Sequence, residues 1–287
     1  MKKRKTDRVV PENHGLLYGV NPLLEALRAG DRIPEEVVIA KGAKDHRLHE
    51  LIELARTRNI PVRRSPRAAL DRTVGNTHHQ GVMARIPAAR YADSEYLLSS
   101  IAARVGGAVE PLAVVLDGVE DPRNLGAILR TSECAGVDGV FVPERRAAGL
   151  SETVAKASAG AIEHVPVARV TNLSLLIKQL KERNVWVIGT AADALIEYTE
   201  WDWTRPSALV LGGEGAGLHR LVRERCDVLV RIPVQGRIES LNVSVAAGII
   251  LYEALRQRKS VLKETHKVKP ASGVNRLSMH RGPSLVD

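Results

Sequence analysis

Ile232-Pro-Val-Gln-Gly-Arg-Ile-Glu-Ser-Leu-Asn-Val-Ser-Val-Ala-Ala-Gly-Ile-Ile-Leu-Tyr-Glu253 is the stretch from which the rest of the chain can be read. Asp227 to Ile232 alternates and is rich in β-branched residues, which predicts a strand, and Pro233 and Gly236 break it. From Val243 the chain is apolar on nearly every side, as a buried helix would be. The loop between strand and helix carries Gln235, Arg237, Glu239, Ser240 and Asn242. These are more hydrogen-bonding groups than a turn needs, at the place where α/β proteins put their ligands. Read alone, the loop fits a plain helix start capped by Ser240 or Asn242 equally well.

A chain of 287 residues can bury a substantial core and is long enough for two domains. Its formal net charge of +9 favours a polyanionic partner, with nucleic acid the first suspect. A single Phe and few Trp or Tyr argue against RNA modules that bind through clustered aromatic faces. Cys134 and Cys226 lie in apolar periodic segments without metal-ligand spacing, so both are expected to be reduced core residues, and no metal is implied. The basic start, Lys2-Lys-Arg-Lys5, is not followed by an apolar run, and no run reaches membrane-spanning length. The composition therefore predicts a soluble, cytoplasmic protein that is not exported.

Residues 1–13 are charged and aperiodic and are expected to form a basic disordered tail. Residues 14–88 read as a small α/β domain. A helix starts at Asn21-Pro22, strands cover Glu36–Ala40, Ile60–Arg63 and Gly81–Ile86, and helices follow Lys44 and Ser65-Pro66. Lys41, Lys44, Arg47, Arg56, Arg58, Arg63, Arg64, Arg67 and Arg72 make its exposed positions basic, and His78 and His79 read as surface loop. Residues 89–110, with Gly106-Gly107, are expected to be a linker with one short helix. Residues 111–258 alternate strand and helix, with strands at Leu112–Leu116, Gly139–Val142, His164–Val167, Val185–Gly189, Ala208–Leu211 and Val228–Ile232. Continuous apolar strands between helices predict a mostly parallel sheet covered on both faces. Residues 259–287 read as a second disordered basic tail.

Two further strand-end loops carry chemistry. Asp117-Gly-Val-Glu-Asp-Pro-Arg-Asn124-Leu-Gly126-Ala-Ile-Leu-Arg130 places Asn124 at the mouth of a helix and Arg130 within two turns of its start. An Arg buried or half-buried there needs a counter-anion: Glu133 or Asp121 in a structural pair, or a substrate phosphate. Leu211-Gly-Gly-Glu-Gly-Ala-Gly-Leu218 sets one carboxylate among four glycines, which allows close backbone approach to a ligand. The Gly-x-Gly-x-Gly at 213, 215 and 217 is a weak hint of an ordinary Rossmann-type methyltransferase. Its place late in the domain opposes that, because the Rossmann loop follows the first strand.

Together the three segments resemble the SpoU/TrmH family of RNA 2′-O-ribose methyltransferases, of the SPOUT superfamily. The matching residues are Asn124 and Arg130, then Gly213-Glu214-Gly215, then Ser240-Leu-Asn242-Val-Ser244, over about 111–258. Tyr18-Gly-Val-Asn-Pro-Leu-Leu-Glu-Ala-Leu27 and His79-Gln80-Gly81-Val82 resemble that family's L30e/L7Ae-like substrate domain. The resemblance implies a trefoil knot in the C-terminal domain, a homodimer with each active site at the subunit interface, and bound S-adenosylmethionine. It implies catalytic roles for Arg130, Asn124, Glu214, Ser240 and Asn242. The cofactor is then expected against Leu211, Gly212, Gly213, Glu214, Gly215, Ile232, Val234, Ser240 and Leu241.

RNA is expected to meet Asn21, Arg63, Arg64, Gln80, Arg123 and Arg130, with affinity that falls steeply with salt. Guanidinium normally stays protonated, so Arg130 is better suited to clamp developing alkoxide charge and phosphate than to act as a base. The layout most resembles the enzymes that modify a guanosine of 23S rRNA. An rRNA adenosine enzyme of the thiostrepton-resistance type, a tRNA enzyme and a non-catalytic ribosome-assembly factor are the alternatives.

Overall fold

The computed structural model describes residues 14–75, 78–215, 217–238 and 240–267. The expected tail at 1–13, most of that at 259–287, and Glu239 lie outside the described residues. The N-terminal sheet contains β1 (His14–Tyr18), β2 (Glu36–Ala40), β3 (Val62–Ser65) and β4 (Val82–Pro87) in the order β1-β4-β2-β3. Only β2 and β3 pair in parallel. Helices α1 (Val20–Ala29) and α2 (Arg47–Thr57) cover one face through Leu23, Leu27 and Leu51. On the other face α3 (Arg67–Val74) brings Leu70 against Val38 and Met83.

Two local expectations fail here. β1 is an additional edge strand before the first helix. His79 is not surface loop: it is fully buried, with Nε2 2.9 Å from Asp71 Oδ1 and Nδ1 accepting the Gly81 N–H. That Nδ1 acceptor fixes the tautomer, so Nε2–H donates to Asp71 and the ring pins the turn into β4.

The second sheet is parallel throughout. Its strands are β5 (Leu112–Asp117), β6 (Gly139–Pro143), β7 (Val167–Val170), β8 (Trp186–Thr190), β9 (Ile196–Glu197), β10 (Ser207–Gly212) and β11 (Val228–Arg231). Their order is β7-β6-β5-β10-β8-β11-β9. Alternate residues of β5 enter opposite cores. Leu112, Val114 and Leu116 meet α5 (Pro122–Ala135) and α9 (Val243–Lys267). Ala113 and Val115 meet α4 (Ser94–Ala102), α7 (Leu173–Glu182) and α8 (Arg220–Arg225). The expected linker is thus part of a core, since Leu97, Leu98 and Ile101 of α4 are buried on this sheet.

The strand expected at His164–Val167 begins instead at Val167, because Ala161–Glu163 forms a 3₁₀ turn and His164 Nε2 reaches Glu25 Oε2 of the other domain at 2.9 Å. α9 runs on to Lys267, past the expected end at Arg258, and it is not buried all round. Ala247, Ile250, Leu251 and Ala254 are buried, whereas Val245 and Tyr252 are exposed. Arg258 is an anchor rather than the start of a tail. Its guanidinium donates to the carbonyls of Trp203, Glu110, Pro111 and Arg205, and burial lowers its pKa to about 10. Cys226 is partly buried and burial pushes its thiol up to about 12, but Cys134 is exposed, against expectation.

The domains meet through α6 (Glu152–Ala157), whose Glu152 Oε1 accepts the Leu16 N–H. Arg32 also pairs with Glu163, whose carboxyl is pushed up by burial and partly pulled back by the guanidinium.

α6 in turn sits hard against α5. A Cβ at Gly126 would lie 2.4 Å from Ala157 Cβ and 3.0 Å from both Ser158 N and Val154 O. Two of these three contacts are backbone, so Gly126→Ala is expected to destabilise the protein by about 1–3 kcal/mol, read as a lower urea midpoint with an unchanged slope.

Candidate active site

The carboxyl ends of β8, β10 and β11 open into a cleft of about 660 Å³. The chain folds this way because each strand ends where its sequence breaks. β11 stops before Pro233, which has no N–H to continue a ladder, and β10 runs into the glycine loop. Gly213 N donates to Asp117 O at 2.7 Å, which draws that loop onto the end of β5. No side chain fits there: a Cβ at Gly213 would lie 2.1 Å from Gly118 O, and one at Gly212 2.2 Å from the Gly217 carbonyl carbon. The loop turns back through positive φ at Gly215 and Gly217, which L side chains rarely adopt.

Glu214, at the tip of this loop, is the hub of a polar network. Its Oε1 accepts from Asn124 Nδ2 at 2.6 Å and from Asn242 Nδ2 at 3.0 Å. Asn242 Nδ2 is also 3.1 Å from Asn124 Oδ1. Asn124 is buried in the first turn of α5, whose N-cap is Asp121, accepting the Arg123 N–H. Asn242 precedes α9, and its Oδ1 accepts from Ser244 N at 2.9 Å. Asn242 thus caps α9 through its amide oxygen and joins the Glu214 network through its amide nitrogen.

All nine residues expected at the cofactor line the cleft: Leu211, Gly212, Gly213, Glu214, Gly215, Ile232, Val234, Ser240 and Leu241. Asn242 lines it too. Arg130 does not. It is exposed on α5, outside the cleft lining, and makes no hydrogen bond or ion pair with another described residue. The structural pairs with Glu133 or Asp121 are not formed; Asp121 caps the helix, and an exposed guanidinium needs no counter-ion.

The residues expected to meet RNA are spread out. Asn21 and Gln80 lie together at the start of α1, where Gln80 Oε1 accepts the Val20 N–H and Asn21 Oδ1 accepts from Arg47. Arg63 is held by Glu36 through two bonds of 3.1 and 2.9 Å, and Arg64 and Arg123 are exposed.

Sequence reasoning missed two groups. Arg223 pairs with Asp193 at 2.8 Å, and both line the cleft. Beside it, buried Asp117 holds His219 by the His219 N–H at 2.8 Å and by Nδ1 at 2.9 Å, and Arg146 lies 3.5 Å from His219 Nε2. An aspartate closing a strand ahead of a glycine was a usable signal; a loop arginine carried none.

These features define a two-domain α/β protein in which a parallel sheet carries a deep cleft and a smaller mixed-sheet domain stands beside it. Comparisons narrow the class. The SpoU rRNA Methylase family model matches residues 111–252, and the model for RNA 2′-O ribose methyltransferase substrate binding matches residues 16–92. YacO of Bacillus subtilis, a protein of the TrmH tRNA/rRNA methyltransferase family, is 42% identical over 250 residues, covering 87% of this chain and 98% of YacO. Among solved structures, the SpoU methyltransferase AviRb from Streptomyces viridochromogenes in complex with AdoMet has a TM-score of 0.70 at 25% identity. It covers 89% of this chain and 95% of its own. An AdoMet-bound rRNA methyltransferase from Sinorhizobium meliloti has a TM-score of 0.68 at 25% identity, covering 85% and 87%. The chain belongs to the SpoU/TrmH family of RNA methyltransferases.

The two jobs of Asn242 are separable. Asn242→Ser keeps a capping acceptor and drops the amide donor, whereas Asn242→Ala loses both, so Ala is expected to be less stable than Ser by about 1 kcal/mol in urea unfolding. Equal stabilities would mean that the cap carries no weight.

Proposed function

We propose that this protein transfers a methyl group from S-adenosylmethionine to a ribose 2′-OH of RNA, most specifically to a guanosine of 23S rRNA. The observation that carries the reading is the cleft: three loops distant in sequence meet there around Glu214.

The residues present fit the cofactor. A side-chain-free wall at Gly212 and Gly213 leaves main-chain groups to face it, while Leu211, Leu218, Val230 and Ile232 supply apolar surface in a cleft of ligand size. When bound, the cofactor supplies an electrophilic methyl group on a sulfonium. The chain's own residues orient the acceptor. Oε1 of Glu214 is occupied by two amide donors, and Oε2 receives no hydrogen bond from the described residues, so it is available to the ribose hydroxyl. Ser240 and Asn242 stand on the opposite loop of the cleft, where they face the sugar as it meets the cofactor.

Arg130 lies outside the cleft of its own chain, so in this reading it serves the cleft of a second subunit. Supporting a homodimer are the exposed apolar side chains Val234, Ile238 and Leu241 on the loop after β11 and Val245 and Tyr252 on α9, which packs against the Arg130 helix. The reading also includes the family's trefoil knot, supported by the central place of β10 and the tight contact of the loop after it with Gly118. The small domain, with Lys41, Lys44, Arg64 and Arg72 exposed, gathers and positions the RNA. No helix among the described residues is long and apolar enough to cross a membrane, and a cytoplasmic location accords with that substrate.

Mapping 2′-O-methylation across rRNA and tRNA, from cells with and without the protein, tests the activity. One methyl group should disappear from a large-subunit rRNA guanosine; a change confined to tRNA would move the substrate, and no change would sink the reading.

Arg130→Lys keeps the charge but not the planar fork, so turnover should fall by about 10²-fold with cofactor affinity by calorimetry unaltered. Mixed dimers of Arg130→Ala and Glu214→Ala subunits should recover activity that neither variant has alone. Failure to recover it would place Arg130 in its own chain's site.

A further inference from the structure

A second chamber of about 370 Å³ lies beside the cleft and shares Gly213, Glu214, Gly217 and Val243 with it. Asn124 lines the second chamber only, so the polar hub stands in the wall between the two. Arg146 is the one Lys or Arg in the second lining, among the described residues. Four carboxylates also line it, of which Glu120 is exposed and makes no hydrogen bond or ion pair with another described residue. Asp117 is bonded to His219, Asp121 caps α5, and Glu214 is held by the two amides.

Arg146 is exposed, but its backbone is fixed. Its φ is +57°, a left-handed conformation that residues with side chains avoid. Its loop is pinned on both sides, by Glu144 N to Val170 O at 3.0 Å and by Ala148 N to Val119 O at 2.9 Å. His219 meets its guanidinium from within. Both carboxylate oxygens of buried Asp117 accept from His219, so Nδ1 carries the proton and Nε2 presents its lone pair to Arg146 NH1. The contact engages one guanidinium nitrogen and leaves Nε and NH2 for the fork that grips a phosphate. The four carboxylates of the lining repel phosphate, so an anion can settle only where it meets Arg146.

We propose that this chamber seats the nucleotide to be methylated, with Arg146 clamping the phosphodiester next to its ribose and with His219 and Asp117 as positioning residues for Arg146. The proposal rests on the RNA methyltransferase reading above and adds to it the place and the grip of the acceptor.

The test uses the full-length protein and unmodified, transcribed 23S rRNA, with binding measured across a salt series and methyl transfer measured alongside. Arg146→Ala should weaken RNA binding about tenfold and flatten the plot of log affinity against log salt by about one, while Arg146→Lys should keep the slope. Calorimetric affinity for S-adenosylmethionine should be unchanged in both. His219→Ala should raise the KM for RNA, and combining it with Arg146→Ala should add nothing further, because His219 acts through that guanidinium. Should His219→Ala fail to fold, the exposed Arg146→Ala carries the test by itself. A wild-type slope in Arg146→Ala overturns the phosphate site. A wild-type protein that binds the rRNA and transfers no methyl group overturns instead the reading on which the site rests.

Discussion

One carboxylate oxygen holds the cleft together. Oε1 of Glu214 accepts amide donors from Asn124 and Asn242, residues 90 and 28 positions away along the chain, and so ties the starts of two helices to the loop after β10. Hydrogen bonds to an ionised acceptor are roughly twice as strong as neutral ones, so this pair outweighs an ordinary turn contact. Neither amide is free to drift. Asn124 is buried in the first turn of α5, and Asn242 is fixed from its other end by the cap of α9. The ordering entropy of these side chains is therefore met mostly by the helices they belong to, and the site adds little to it.

That arrangement requires backbone where most proteins would have side chains. β10 lies between β5 and β8, and its loop must pass within contact of Gly118 before Leu218 reaches the far core. Only glycine at 212 and 213 permits the passage, so this one wall of the cleft presents main-chain groups. Such a wall recognises a ligand by hydrogen-bond pattern and shape, which suits a donor that must be held firmly and released after its methyl group has gone.

How much of this was legible in the sequence follows from what each signal measures. Leu112–Asp117 is buried throughout and reads as a central parallel strand, and the Gly212–Gly217 and Ser240–Asn242 loops announce themselves by residue type. Periodicity fails where a contact comes from the other domain. His164-Val-Pro-Val167 looks like a strand, yet His164 faces Glu25 and the strand starts three residues later. His79 looks like loop and Cys134 like core, because a buried histidine needs only one distant partner, Asp71, and a helix face is set by what packs on it. Arg258 sits where apolar periodicity gives out, so it read as the threshold of a tail; four carbonyls that no local pattern predicts make it an anchor. Arg146 and His219 were invisible for the same reason, since their significance lies in one another.

Arg130 marks the limit of what one chain can do. The residues expected at the cofactor all line one cleft, but the guanidinium expected to offset developing negative charge faces outward. A single chain also leaves Val234 43% and Leu241 40% exposed in the cleft lining, and Ile238 76% exposed on the loop between them, where water would screen any charge inside. On the proposed reading, a second subunit corrects both defects in one step. Its body covers the apolar rim and dries the cleft, which strengthens every electrostatic interaction within. Two-fold symmetry makes each chain donor and recipient at once, so one exposed arginine per chain is enough to furnish two sites. On that reading the site is inert in the monomer, and activity is coupled to assembly with no further device.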